Sequence, residues 1–297
     1  MRTYHQDKPG TKARYYSIED GGKLRCTLCP HYCMLEDGAR GRCRVRRNAA
    51  GVMQADSWGM VSGYHMDPIE KNPLYQYYPG SQILSVGSYG CNFRCPWCQN
   101  ASISQCDVEK HLWRREIRPE EIVANAANSD SIGVAYTYNE PTVWFEFMMD
   151  VARPVYERGM KNVVVTNGFI NPEPLSELLE VSHAFNVDLK SFDDAVYRNY
   201  AQARLEPVLT SIKAIAAAGK HLEITFLVVP GVNDDLELFD EMVQWTAQEA
   251  GKEVVLHINR YYPSWKMQTP PTPVNLMRTM KGMATAHLPH VYLGNVP

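Results

Sequence analysis

From residue 82 onward, short runs of β-branched and apolar residues alternate with longer stretches in which apolar positions recur every three or four residues. The short runs predict six strands: ILSVGS (83–88), IGVAYTY (132–138), NVVVT (162–166), AFNVDL (184–189), LEITFLVV (222–229) and VVLHIN (254–259). The longer stretches predict helices near 118–128, 142–158, 172–182, 205–218, 235–249 and 273–286, the second kinked at Pro154. Strands alternating with helices build right-handed βαβ units on a parallel sheet, either doubly wound or curled into a partial barrel. Residues 1 to about 78 show no such period and are rich in Gly, Arg, Cys and Tyr. They read as a loop-rich extension organised by a metal, which divides the chain into 1–78 and 79–297.

Each predicted strand runs into a polar or Gly/Pro-containing turn: GCNFRC, NEP, NGF, KSF, PGVND and RYYPSW in chain order. Singly, such a turn only reverses the chain. In α/β barrels, however, the loops after parallel strands converge on one mouth where the chemistry is done. Six in series, one with three cysteines, point to a shared site.

Composition narrows the class. The 297 residues are 45% hydrophobic and 21% charged, with a formal charge of -3, as expected of a globular protein. No apolar run reaches the roughly 18 residues of a membrane span, and the start MRTYHQDKPG lacks the apolar stretch of a secretory signal, so the expected compartment is the cytoplasm. The charge balance gives no general case for nucleic-acid binding, although GARGRCRVRR at 38–47 holds five arginines. Eight cysteines in a chain expected to stay among reduced thiols suggest metal rather than disulfides. Seven of them fall into two groups, Cys26/Cys29/Cys33/Cys43 and Cys91/Cys95/Cys98; Cys106 stands alone and reads as a small buried hydrophobe.

Four thiolates normally hold an iron–sulfur cluster, so a close-set triplet suggests a cubane with one iron left open to bind a substrate. The intervals Cys-x3-Cys-x2-Cys also differ from the paired Cys-x2-Cys of a common structural zinc site. The run Cys91-x3-Cys95-x-Trp97-Cys98 resembles the signature of radical S-adenosylmethionine (radical SAM) enzymes. The resemblance implies a partial (β/α)6 TIM-like barrel, a 4Fe-4S cluster on the three cysteines, and reductive cleavage of S-adenosylmethionine to a 5'-deoxyadenosyl radical.

The barrel is similar to that of glycyl-radical-enzyme activases such as pyruvate formate-lyase activating enzyme. Cys98-Gln99-Asn100 resembles their CHN, Tyr138-Asn139-Glu140-Pro141 their GGEP, Thr166-Asn167-Gly168 their TNG, and Asp188-Leu189-Lys190 their DLK, while Val229-Pro230-Gly231 with Asn233-Asp234 resembles the VPG loop. On this resemblance Trp97, Asn100, Tyr138, Asn139, Glu140, Thr166, Asn167, Asp188, Lys190 and His257 are expected around the cofactor. Glu140 would receive the ammonium of S-adenosylmethionine, Lys190 would pair with its carboxylate, and Asn167 would fix ribose or carboxylate. Without the cysteines, Glu140 reads as a helix cap, Asp188 with Lys190 as a surface ion pair, and His257 as a satisfied core histidine. Two departures stand out: Thr225 occupies the position of the activases' fifth-strand Arg, and Arg260-Tyr261-Tyr262 replaces the His that follows their sixth strand.

Cys26-x2-Cys29-Pro30-x2-Cys33 with Cys43 supplies four soft ligands for zinc or a second iron–sulfur cluster, and His31 could stand in for one thiolate. CTLCPHYCMLEDGARGRCRVR together with DPIEKNPLYQYYPGS resembles the AmmeMemoRadiSam-system branch over nearly the whole chain. The expected function is hydrogen abstraction from a protein or peptide, possible glycyl-radical type included, with a flavodoxin or ferredoxin as reductant. Radical modification of a small molecule or RNA is the alternative, and a non-catalytic electron carrier is a reading of another class. A carrier would have every iron covered by protein, which the triplet does not provide.

Overall fold

The computed structural model describes residues 12–106 and 115–296; residues 1–11, with the polar start MRTYHQDKPG, lie outside the described residues. Its centre is one eight-stranded sheet. Across the sheet the strands run Gly63–Pro68, Gln82–Gly87, Gly133–Tyr136, Lys161–Thr166, Ala184–Asp188, His221–Val228, Val255–Arg260 and Val291–Gly294, in the order of the chain. All neighbours are parallel except the first pair. A strand order that never reverses puts every right-handed crossover on the same face, so the sheet curls around its other face. This selects the partial barrel over the doubly wound alternative.

The six expected strands are all present, and their central residues are buried because helices cover one face and the barrel interior the other. Two further strands close the edges, Gly63–Pro68 and Val291–Gly294. Both are edge strands with half-exposed residues, so neither carries the continuous apolar run that betrays an inner strand. The first lies on the N-terminal side of the expected 78/79 division yet pairs along its whole length with Gln82–Gly87.

The helices follow the expected order. Prolines open several of them at positions whose amide would be unpaired anyway: Pro119, Pro172 and Pro207. Asp235 caps Leu236–Trp245 by accepting from the amides of Glu237 and Leu238. The helix Phe145–Glu157 runs unbroken through Pro154, which sits near its C-terminal end.

The extension forms three small antiparallel pairings. Tyr16–Ile18, Leu24–Cys26 and Met34–Leu35 make one sheet, Arg46–Ala49 with Val52–Ala55 a second, and Met60–Val61 with Arg115–Glu116 a third. It is docked by apolar side chains that join the barrel's core, among them Leu28, Leu35, Met53 and Val61, and by polar contacts: Arg46 on Glu146 at 2.8 Å, Trp144 Nε1 on the Ser57 carbonyl at 2.7 Å, and Asn171 Nδ2 on the Thr27 carbonyl at 2.7 Å. The segment after Gly63–Pro68 turns under the barrel, where the amides of Tyr75 and Gln76 donate to the buried carboxylate of Glu223 at 3.0 and 2.9 Å. Among the described residues no helix is long and apolar enough to cross a membrane.

Candidate functional site

The turns at the C-terminal ends of the parallel strands enclose a cavity of about 450 Å³, a size typical of small-molecule sites. Cys91, Cys95 and Cys98 form one wall, and nine of the ten expected cofactor-side residues share the lining: Trp97, Asn100, Tyr138, Asn139, Glu140, Thr166, Asn167, Asp188 and Lys190. The three thiols are free. Burial pushes Cys91 well up from the ordinary thiol value and Cys95 up to about 12, so without metal they stay neutral. Binding a metal centre there would release their protons.

The cysteine loop is cross-braced to neighbouring strand ends. Asn139 accepts from the Ser88 amide and donates to the Gly90 carbonyl, both at 2.9 Å, which fixes the chain just before Cys91. Asn167 Nδ2 donates to Asn92 Oδ1 at 2.8 Å and lies 3.8 Å from Cys91 Sγ. Asn92 Nδ2 in turn donates to the Phe169 carbonyl at 2.9 Å. The Asn167 side-chain amide thus braces the cysteine loop while the residue lines the cavity. Asn100 donates to the Tyr138 carbonyl at 2.7 Å, and Trp97 packs its ring beside Tyr200.

Glu140 does cap the turn that follows it, but the cap accounts for only part of its capacity. Its Oε1 accepts from the Thr142 amide at 3.0 Å and from the Thr142 and Thr166 hydroxyls at 2.7 Å each. Oε2 accepts only from the Asn167 amide at 2.8 Å. A carboxylate oxygen has two lone pairs, so Oε2 keeps one for a further donor in the cavity. Burial raises the carboxyl above its ordinary value, although the four donors pull it back. A cation arriving at Oε2 would favour the ionised form.

Across the cavity Lys190 Nζ is 2.9 Å from Asp188 Oδ2. Burial pulls the ammonium down, but the Asp188 carboxylate outweighs it, and Lys190 stays charged. The pair is no surface ion pair: it faces the cysteine wall, and Asn233 Nδ2 fixes its strand end by donating to the Lys190 carbonyl at 2.7 Å. These donors and acceptors fit the group the signature implies: thiols on one side for a cluster, and an open carboxylate lone pair and an ammonium for the two ends of an amino acid.

His257 does not join this site. Its Nε2 meets Glu223 Oε2 at 2.5 Å, and its ring packs on Tyr75 and Tyr292. It is a satisfied core histidine one layer nearer the N-terminal ends of the strands. Residues two further along share its face in the layer above, and there Asn259, with Thr225 and Leu227 on the next strand, lines the cavity. Counting by twos from an inward residue would have found Asn259. Lys71 and Asn295, which also line it, come from the irregular segments beside the two edge strands and carry no such signal. Thr225, which stands for the activases' Arg, is spent on Asn186 Oδ1 at 2.9 Å.

The N-terminal cysteines lie outside the cavity but against its wall. His31 is not on offer as a ligand at Nε2, which is 2.8 Å from the Asn92 carbonyl. Cys106 packs on a small apolar cluster that includes Val45 and Met60, but it is half-buried rather than buried as expected.

The sequence pattern of the Radical SAM superfamily matches residues 85–243, from the first parallel strand to the helix after the fifth turn. An uncharacterized protein of Methanocaldococcus jannaschii is 41% identical over 288 residues, 96% of this chain and 85% of that protein. The pyruvate formate-lyase 1-activating enzyme of Escherichia coli K12 is 26% identical over 180 residues, 60% of this chain and 73% of the enzyme. Among solved structures, Streptococcus suis SuiB bound to S-adenosylmethionine matches 69% of this chain and 48% of its own, with a TM-score of 0.55 at 14% identity, a likeness of fold. The chain is thus homologous to glycyl-radical activating enzymes and belongs to the Radical SAM superfamily, whose members use a 4Fe-4S cluster and S-adenosylmethionine.

Proposed function

We propose that this protein is a radical SAM oxidoreductase in which Cys91, Cys95 and Cys98 hold the 4Fe-4S cluster, and which takes a hydrogen atom from a protein or peptide substrate. The observation that carries the reading is the gathering of three free cysteines and nine cofactor-side residues, from four strand ends, around one cavity. When bound, the cluster and S-adenosylmethionine supply a one-electron C–S cleavage that yields the 5'-deoxyadenosyl radical. The chain's own residues position and shield. Glu140 Oε2 would accept the ammonium of S-adenosylmethionine, Lys190 would face its carboxylate, and Asn139 and Asn167 hold the cysteine loop rigid against both. Trp97 and the walls of the cavity exclude water.

A protein substrate is supported by the similarity to the pyruvate formate-lyase 1-activating enzyme and to the benzylsuccinate synthase activating enzyme of Thauera aromatica. The test is anaerobic reconstitution, reduction with dithionite, and assay of 5'-deoxyadenosine. The wild type should form it and Cys95→Ala should form none, having lost the site iron. Glu140→Gln should weaken S-adenosylmethionine binding by about ten- to a hundredfold, the worth of one charge-assisted hydrogen bond. No product from fully loaded wild type would defeat the reading, and unchanged binding in Glu140→Gln would remove the ammonium from that carboxylate.

A further inference from the structure

We propose that Cys26, Cys29, Cys33 and Cys43 hold a second iron–sulfur cluster, and that this cluster passes electrons to the Cys91–Cys98 loop. The direction of flow rests on the function proposed above; the metal site itself does not.

The four cysteines reach one place from different local structures. Cys26 ends a strand, and its amide donates to the Cys33 carbonyl at 2.9 Å. Between them Cys29 and Tyr32 close a tight turn, with the Tyr32 amide on the Cys29 carbonyl at 3.2 Å and Tyr32 at a φ of 46°. The Arg42 amide points at Cys33 Sγ from 3.4 Å, as backbone donors do toward cluster thiolates. All four thiols are free.

Geometry distinguishes a cluster from a single ion. Zinc needs its four sulfurs at about 2.3 Å from a common point. In a cubane each thiolate binds a different iron, so the sulfurs stand farther apart. Among the described residues no three His, Cys, Asp or Glu side chains converge as ligands of one ion. That holds equally for Cys91, Cys95 and Cys98, in a family that uses a 4Fe-4S cluster.

Charge favours an anionic metal–thiolate centre at this place. A four-thiolate cluster is anionic, and among the described residues the cations beside it meet no carboxylate. Arg94 donates to the carbonyls of Cys91 and Arg42 and to Gln105 Oε1, Arg42 to Gln202, and Arg44 to the Gln105 carbonyl. None of the three meets an Asp or Glu among the described residues. They occupy the seam between the two cysteine groups, where two anionic clusters would supply the missing counter-charge.

That seam is thin. Gly90, at a φ of 89°, lies so close to Cys43 that a β-carbon on it would come within 2.6 Å of the Cys43 carbonyl oxygen, and Cys91 is the next residue. A second bridge runs from Cys29 through Pro30 to His31, whose Nε2 is 2.8 Å from the carbonyl of Asn92, the other neighbour of Cys91. The His31 ring rests on Phe169 at 4.9 Å, which holds it in place. The step is a one-electron transfer. A low-potential carrier protein of the flavodoxin or ferredoxin class loses one electron, the quartet's iron gains and then gives up one, and no bond or proton moves.

The experiment uses the full chain, purified and reconstituted anaerobically. The wild type should contain about eight iron atoms and no stoichiometric zinc. After reduction it should show two electron-paramagnetic-resonance signals, of which S-adenosylmethionine shifts one. The variant Cys29→Ser/Cys33→Ser should keep about four iron atoms and the shifting signal. Its 5'-deoxyadenosine formation with a reduced ferredoxin should fall roughly tenfold or more, while formation with dithionite, which reaches the site directly, should persist. About four iron atoms with one zinc in the wild type would overturn the cluster without recourse to any variant. An unchanged rate with ferredoxin in a half-loaded variant would overturn the relay. A wild type with about eight iron atoms and two signals but no product would instead defeat the function proposed above and leave the second cluster standing.

Discussion

The barrel and its N-terminal extension are held together by different means. The barrel buries long apolar strands between helices, so its stability is spread over dozens of side chains such as Val134, Val164, Phe185, Ile224 and Ile258. The extension has strands of two to four residues; it adds a smaller set of side chains, such as Leu28, Leu35 and Met53, to that core and relies further on polar contacts: Asn48 on the Leu35 carbonyl, Arg40 and Arg47 on Asp56, and Arg46 on Glu146. Distributed burial tolerates single losses, whereas a buried polar group stripped of its partner is costly wherever it lies. Single substitutions should therefore separate the two regions.

The largest effect should come from Arg46. Its guanidinium is 1% exposed and donates through one nitrogen to both Glu146 oxygens, at 2.8 and 3.0 Å, and through another to the Arg14 carbonyl. Arg46→Met would strand the Glu146 carboxylate in the interior at a cost of about 3–5 kcal/mol. Because the pair joins the extension to the helix Phe145–Glu157, denaturant unfolding should split into an early transition of the extension and a later one of the barrel. The double variant Arg46→Met/Glu146→Leu should recover most of the loss. A single transition with an unshifted midpoint would mean that the extension is not anchored there.

The barrel has one comparable polar group at its floor, and pH is the way to reach it. Glu223 accepts from His221 at 2.9 Å and His257 at 2.5 Å as well as from the two amides of the segment beneath. Burial alone would raise its carboxyl, but these four donors outweigh burial and bring it down to about 2. A carboxyl depressed in the folded state contributes stability above its unfolded value of about 4.3 and loses it as pH falls toward the folded value. The contribution is about 3 kcal/mol at neutral pH, shed between roughly pH 4.5 and 2. Stability curves of wild type and Glu223→Gln should converge across that window. Curves that stay parallel would show that the carboxylate is not preferentially ionised in the fold.

The same contrast governs how much could be read from the residues. The six inner strands were legible because burial on both faces forces an unbroken apolar run, and the cysteine wall because its spacing has few other uses. Edge strands carry no such constraint, which is why GYHMDP and VYLG passed unnoticed. Around the cavity, the motifs' resemblance to those of the activases located Glu140, Asp188 and Lys190. What a side chain does with its hydrogen bonds could not be read that way: Asn167 serves the cysteine loop, and His257 serves Glu223. Both are three-dimensional allocations between residues more than 30 positions apart.

Tyr138 lies where the two regions adjoin and offers the finest test. It holds a φ of 71°, a left-handed backbone that favours glycine, at the position where activases carry GGEP. A slot accommodates it: β-carbons at Gly63 and Gly87 would meet its ring at 2.6 and 2.7 Å. Its hydroxyl donates to Asp67 on the edge strand at 2.6 Å, and Lys71 shares that carboxylate. Tyr138→Phe keeps the ring in the slot and removes one hydrogen bond, so it should cost about 1 kcal/mol because Lys71 still satisfies Asp67. If Gly63–Pro68 belongs to the barrel through this contact, its amides should exchange about fivefold faster in the variant while those of the extension stay unchanged. Equal acceleration in Arg46–Ala49 would tie the edge strand to the extension and move the boundary between the regions into the sheet itself.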